Sequence, residues 1–189
     1  MIPTNPATEG STGDTALMPR PVRNLRWLTM ATQIAVVGGS EATAAALAAA
    51  EKIGAALASA GAIVVCGGLG GVMAAACRGA KSAGGTTVGV LPGIDPSASN
   101  RWVDVVIASG LGEARNSLVV GSAAAVIAVD GEYGTLSEIA LALRAGTPVV
   151  GVGTWSLARP NGQPDTKIVA VEDPDEAVAT ALRLASAAT

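Results

Sequence analysis

The residues best suited to chemistry lie between Gly112 and Glu138, in the stretch GEARNSLVVGSAAAVIAVDGEYGTLSE. Arg115 starts one helical stretch, a buried strand follows, and a glycine-rich turn opens a second helix carrying Thr135 and Glu138. A helix start leaves backbone N–H groups without acceptors and carries the positive end of the helix dipole. The turn Asp130-Gly131-Glu132-Tyr133-Gly134-Thr135 therefore suits a phosphate, held by the N–H groups at 134–136 and the Thr135 hydroxyl. Arg115 and Glu138 fall near the ends of neighbouring elements, where one small ligand could meet both. A second reading of the same residues stays open. Thr135-Leu136-Ser137-Glu138 also spells a capping box, in which threonine caps the helix and glutamate returns to the threonine N–H. Such a cap is worth about 1 kcal/mol and needs no ligand. Arg115 could likewise pair with Glu113 or another surface acid. Asp130 and Glu132 border the turn, and a carboxylate beside a phosphate opposes binding unless it points away or holds a cation.

Composition removes several classes of function. The chain has no histidine, which excludes Ser-His-Asp and Cys-His catalysis, histidine metal ligands and histidine general bases together. A net charge of −3 gives no sign of a nucleic-acid surface. No long apolar run free of glycine and charge marks a membrane span. Cys66 and Cys77 lack C-x-x-C spacing and are expected to be small buried hydrophobes in a reduced, cytoplasmic setting. No metal site is expected.

The elements that must position these residues follow from the apolar pattern. Residues 1–31 are rich in Pro, Thr, Gly and Asn, without helical or strand periodicity, and are expected to form a flexible extension. From Thr32 to Thr189 apolar, β-branched runs alternate with alanine-rich stretches. Strands are predicted at 33–38, 62–67, 86–92, 103–109, 125–131, 148–153 and 167–172. Helices are predicted at 41–60, 71–83, 112–124, 134–146 and 174–187. A surface loop is expected between Thr154 and Thr166. This alternation predicts an α/β fold, a single doubly wound, mostly parallel Rossmann-like sheet with helices on both faces. With only 2% aromatic residues and no phenylalanine, its core must be built from Ala, Val, Leu and Ile. Ligands of such sheets bind beyond the carboxyl ends of the strands. Four glycine clusters fall there and predict one shared pocket: Gly38-Gly39, Gly67 to Gly71, Leu91-Pro92-Gly93 and Asp130 to Gly134.

None of these clusters is a standard nucleotide motif. Gly38-Gly39-Ser40-Glu41 lacks the third glycine of G-x-G-x-x-G, and Gly68-Leu69-Gly70 meets Met73 where that glycine would stand. No acidic residue ends the next strand to hold a ribose. Gly79-Ala80-Lys81-Ser82 lacks the adjacent Gly-Lys of a P-loop. The two Gly-Gly pairs of 67–71 exceed what a turn needs and point to a pocket lining.

Taken in order, Gly67-Gly68-x-Gly70-Gly71-x-Met73, Gly89-Val90-Leu91-Pro92-Gly93, Gly112-Glu113-Ala114-Arg115-Asn116 and Gly131-x-x-Gly134-Thr135-x-x-Glu138 resemble the LOG-like Rossmann superfamily. That superfamily contains cytokinin-activating nucleoside 5′-monophosphate phosphoribohydrolases, proteins labelled lysine decarboxylases, and molybdenum-cofactor carrier proteins. The likeness covers about 34–153 and is nearest to the bacterial branch beside the molybdenum-cofactor carriers. It implies that Arg115 and Glu138, 23 positions apart, occupy the essential pair of the phosphoribohydrolases. Glu138 would face a ribose and stabilise charge at its anomeric carbon, Arg115 would orient the nucleotide, and water would be the nucleophile. It also implies that Gly39, Ser40, Gly67, Gly68, Gly70, Gly71, Met73, Pro92, Asn116, Gly131, Tyr133, Gly134 and Thr135 surround a phosphorylated ligand in a homodimer. Two departures bear on turnover: Asp130-Gly131-Glu132 replaces Pro-Gly-Gly, and Arg115-Asn116 replaces an arginine-lysine pair. Decarboxylase chemistry is excluded, because Lys52, Lys81 and Lys167 all lie away from the glycine-rich exits where a pyridoxal-phosphate lysine would sit. Three functions remain: a binding protein for a phosphorylated, nucleotide-like molecule, such as a carrier of molybdenum cofactor; an N-glycosidic hydrolase of nucleoside 5′-monophosphates; and a structural protein without a ligand. No cofactor is required; a nucleotide, phosphate or molybdenum cofactor is the expected ligand.

Overall fold

The computed structural model describes residues 31–187. The extension expected at 1–31 therefore lies, Ala31 apart, outside the described residues. In chain order the strands are β1 (Gln33–Gly38), β2 (Ile63–Cys66), β3 (Thr87–Leu91), β4 (Val105–Ala108), β5 (Ala125–Val129), β6 (Val149–Val152), β7 (Leu157–Ala158), β8 (Pro164–Asp165) and β9 (Ile168–Val171). The helices are α1 (Ala44–Ser59), α2 (Gly71–Ser82), α3 (Asn116–Gly121), α4 (Tyr133–Ala145) and α5 (Pro174–Ala187). Seven strands form one parallel sheet in the order β4-β3-β2-β1-β5-β6-β9. The predicted doubly wound α/β architecture is thus present, and the sheet is wholly parallel.

Strand periodicity divides the core. Ile34, Val36, Val64, Ile127 and Val150 pack with α1, α2 and α5 on one face. Ala35, Val37, Val65, Val126 and Ala128 pack with Val119 and Val120 of α3 and with Ile139 and Ala142 of α4 on the other. Small residues bring α1 and α2 unusually close. A Cβ at Gly54 would lie 2.8 Å from the Ala76 carbonyl carbon, and one at Gly79 would lie 2.7 Å from that of Glu51. The small-residue face of α1 is therefore used within the subunit.

Two local expectations change. The helix predicted at 112–124 divides into a 3₁₀ turn, Gly112–Arg115, and the short α3. Gly112 has φ +55°, and its N–H donates to the Pro92 carbonyl at 2.9 Å, which ties this turn to the exit of β3. The loop at 154–166 contains a two-residue antiparallel ladder, β7 with β8. No helix among the described residues is long and apolar enough to cross a membrane.

Candidate functional site

β1 pairs with β2 on one side and with β5 on the other. The chain winds outward from β1 to β4, then crosses back over the strand ends to begin β5. Such a reversal leaves a crevice at the carboxyl ends of β1 and β5. The returning segment carries Arg115 into it, and the helix after β5 carries Glu138. A cavity of about 170 Å³ fills the crevice. Gly38, Gly39 and Ser40 of the β1 exit form one wall; Leu69 and Met73 form a second. Glu113, Arg115 and Asn116 close a third, and Glu132, Gly134, Thr135 and Glu138 the fourth.

Arg115 is 6% exposed, and its Nη1 donates to Glu138 Oε1 at 3.4 Å. Its Nε is buried with no hydrogen-bond partner. The guanidinium lies against Gly67: a Cβ there would stand 2.6 Å from Nη2 and 2.7 Å from Met73 Sδ. Gly67 thus serves the site by making room for Arg115. Glu138 is also 6% exposed. Burial pushes its carboxyl up from 4.5 to about 7; Arg115 opposes that shift and Glu113 adds to it. One long contact does not offset the cost of burying this carboxylate.

The capping-box reading fails. Glu132, not Thr135, is the N-cap of α4, and no side chain caps the helix. The Leu136 N–H already donates to the Glu132 carbonyl at 3.0 Å. The free N–H groups are therefore those of 133–135, one residue earlier than the predicted 134–136. Thr135 is buried as the third residue of α4, and Glu138 turns toward Arg115 instead of back along its own helix. Nor is Arg115 paired with Glu113; its carboxylate contact is Glu138.

Of the remaining predicted site residues, Gly39, Ser40, Met73, Asn116, Gly134 and Thr135 line the cavity, and the others do not. Gly71 lies behind the wall with φ +58°, where its Cα abuts the Ser40 backbone and a Cβ would stand 2.6 Å from the Ser40 carbonyl carbon. The Val72 N–H donates to Gly39 O at 3.0 Å, which fastens the β1 and β2 exits together. Gly68 turns toward β3, where a Cβ would meet Leu91 at 2.8 Å. Gly70 lies nearest the Ser40 carbonyl, 3.7 Å from an added Cβ. Gly131, at φ +108°, backs onto Thr135. Tyr133 contributes an N–H, while the residue is 80% exposed and its ring lies tilted against Trp155.

The four strand exits do not share one pocket. The β3 exit stands apart, and Pro92 acts through the carbonyl that holds Gly112. Asp130 also leaves the cavity: it lines another one with Thr43 and Glu172, at φ +52°, so only Glu132 of the two turn acids faces the site. Gly38, Leu69, Glu113 and Glu132 complete the cavity beyond the individually named site residues. Their signal was position inside the glycine-rich and Gly-Glu-Ala-Arg-Asn segments. Cys66 and Cys77 are buried as expected, with their sulfurs 3.4 Å apart beneath Gly67.

Comparison with known proteins matches this architecture. The model of the SLOG cluster4 family matches residues 31–178. The molybdenum cofactor binding protein of the phototrophic bacterium Rippkaea orientalis is 31% identical, with a TM-score of 0.74 over 85% of this chain and 99% of that one. The Moco carrier protein of Chlamydomonas reinhardtii is 35% identical, with a TM-score of 0.73 over 84% of this chain and 99% of that one. An uncharacterized protein of Archaeoglobus fulgidus is 44% identical over 117 residues, 62% of this chain and 77% of that one. The superfamily and the carrier-like relationship read from the motifs are both borne out.

Proposed function

The chain belongs to the SLOG cluster4 family, and from that premise we propose that it binds a small phosphorylated, nucleotide-like molecule as a carrier of the molybdenum-cofactor type. One observation carries this reading. The unpaired N–H groups that open α4 and the incompletely bonded guanidinium of Arg115 converge on one cavity. Gly134 and Thr135 would hold the anion, with Gly39, Ser40 and Asn116 opposite. Glu113 and Glu132 oppose the anion at the rim and keep the grip moderate, which suits a protein that must also release its cargo. The likeness to a cofactor binding protein and a carrier protein supports the cargo class. Thermal unfolding of the full chain tests the reading: AMP or inorganic phosphate raises Tm. If neither does, the binding reading fails.

A second reading is hydrolysis of the N-glycosidic bond of a nucleoside 5′-monophosphate. The specific observation in its favour is a carboxyl with a pKa of about 7 held 3.4 Å from Arg115 in the ligand cavity. Release of adenine from AMP, abolished in Glu138→Gln, would establish it. Protection by AMP with no adenine released leaves the carrier. A cytoplasmic homodimer completes the proposal. The exposed side chains of Val105 and Ile107 on edge strand β4 support an interface, and sedimentation velocity tests it.

A further inference from the structure

The Arg115 cavity is too small for a whole nucleotide. At about 170 Å³ it falls below the ~300 Å³ at which small-molecule pockets begin. If a phosphorylated, nucleotide-like ligand binds there, only its anionic end fits, and the rest must lie across the mouth. Tyr133 sits between Glu132 and Gly134, which both line the cavity, and residues of its kind are rare in this chain. Its only aromatic residues are three Trp and one Tyr. Tyr133 and Trp155 meet beside the α4 opening, with ring centroids 5.7 Å apart and planes inclined by 40°.

Trp155 packs partly against the core, whereas Tyr133 does not. Tyr133 is 80% exposed, although its own N–H belongs to the free group that opens α4. Trp155 is half-buried, and its indole N–H donates to the Glu132 carbonyl at 3.2 Å. The adjacent Thr154 hydroxyl donates to the Asp130 carbonyl at 2.6 Å. These two bonds strap the β6 exit to the turn and fix the indole in place. Trp155 also lines a separate cavity of about 350 Å³ with Thr154 and Glu172. Trp155 thus links the turn residue Glu132, which lines the small cavity, to a larger space that the indole itself lines.

We propose that Tyr133 and Trp155 form a stacking platform for the planar heterocycle of the ligand, and that they make the site select a heteroaromatic phosphate over a sugar phosphate. The inference rests on the anion-binding reading above and adds to it the class of group recognised at the mouth. Aromatic faces accept any flat π-system, so the platform reads flatness and leaves base identity to other contacts.

Calorimetry on the full chain with AMP and ribose 5-phosphate tests it. The two probes share the phosphate and sugar and differ in the heterocycle. AMP binds at least tenfold more tightly than ribose 5-phosphate to the unaltered protein. Tyr133→Ala weakens AMP about tenfold and leaves ribose 5-phosphate unchanged, while Tyr133→Phe keeps the preference. Since Tyr133 is 80% exposed, removal of its ring does not threaten the fold. Equal binding of the two probes, or equal loss of both in Tyr133→Ala, overturns the platform and leaves the anion site standing. Failure of both probes to bind the unaltered protein overturns the anion site and the platform together.

Discussion

Two arginine–glutamate pairs in this molecule are built to opposite plans. Arg78 and Glu51 join α2 to α1 through two short bonds, Nε to Oε1 at 2.9 Å and Nη2 to Oε2 at 2.6 Å. Both side chains are about two-fifths exposed, and the Arg78 bonds hold the Glu51 carboxyl below its ordinary range. Arg115 and Glu138 share one contact of 3.4 Å, with side chains only 7% and 8% exposed, and the carboxyl is pushed up instead of down. Burial makes ion pairs costly unless geometry is excellent and remaining donors are satisfied. The exposed pair meets the geometric requirement where little is gained by it; the buried pair misses it where the cost is greatest. A half-made buried pair that leaves donors spare is what a ligand site requires, and it costs stability in the empty protein.

The largest effect should come from breaking the buried pair. Arg115→Ala removes the site's cation and leaves Glu138 buried alone. Sulfate affinity is expected to fall at least a hundredfold, with about 3 kcal/mol of stability lost above pH 7. Calorimetry and urea unfolding read the two losses. Next comes Glu138→Gln, which tests the raised carboxyl. A group whose pKa is 4.5 when unfolded and about 7 when folded contributes its full stability below 4.5 and loses it as pH rises through 7. Glu138→Gln should therefore match the unaltered protein near pH 4 and exceed it by about 3 kcal/mol above pH 7. Sulfate, which does not titrate in this range, should bind the unaltered protein more weakly as pH rises through 7, while the variant shows a flat profile. A constant difference in stability across pH would contradict the burial of this carboxyl.

A smaller effect is expected from Gly131→Ala. Its φ of +108° is strained for alanine, and the added Cβ would press on Thr135. A loss of about 1–2 kcal/mol and a several-fold weaker sulfate affinity should follow. Arg78→Ala is the control from the other pair. Removing it should cost within about 1 kcal/mol and leave sulfate binding unchanged. Equal sulfate losses in Arg78→Ala and Arg115→Ala would erase the contrast between the pairs.

The sheet was legible because parallel strands buried on both faces, such as Ala125–Val129, read as unbroken apolar runs. Arg115 and Glu138 were legible through their motifs, and the reversal between β1 and β5 explains why they meet. The helix predicted at 134–146 matches α4 to within one residue, but Thr-x-x-Glu carries a capping signature that left two readings of Thr135 and Glu138 open. Here burial of Thr135 and the pull of Arg115 on Glu138 win over that local preference. The side on which Asp130 falls is set by a positive φ that an aspartate seldom adopts, so the sequence around it gave no warning. Pro92 was assigned to the ligand because its strand exit looks like the others, yet its role depends on a long-range bond to Gly112. Trp155 lay inside an expected surface loop, and only the fold brings it to the Glu132 carbonyl. Contacts between distant loops leave no periodicity to read.

The most direct test is a ¹⁵N-resolved NMR titration of the full chain with sulfate at pH 6. If the opening of α4 and Arg115 form one anion site, the amides of Tyr133, Gly134 and Thr135 and the Nε–H of Arg115 shift together, with one shared affinity. The Arg78 Nε–H, already bonded to Glu51, stays unmoved. Shifts confined to surface lysines, or a silent Arg115 Nε–H while other groups respond, would contradict the site.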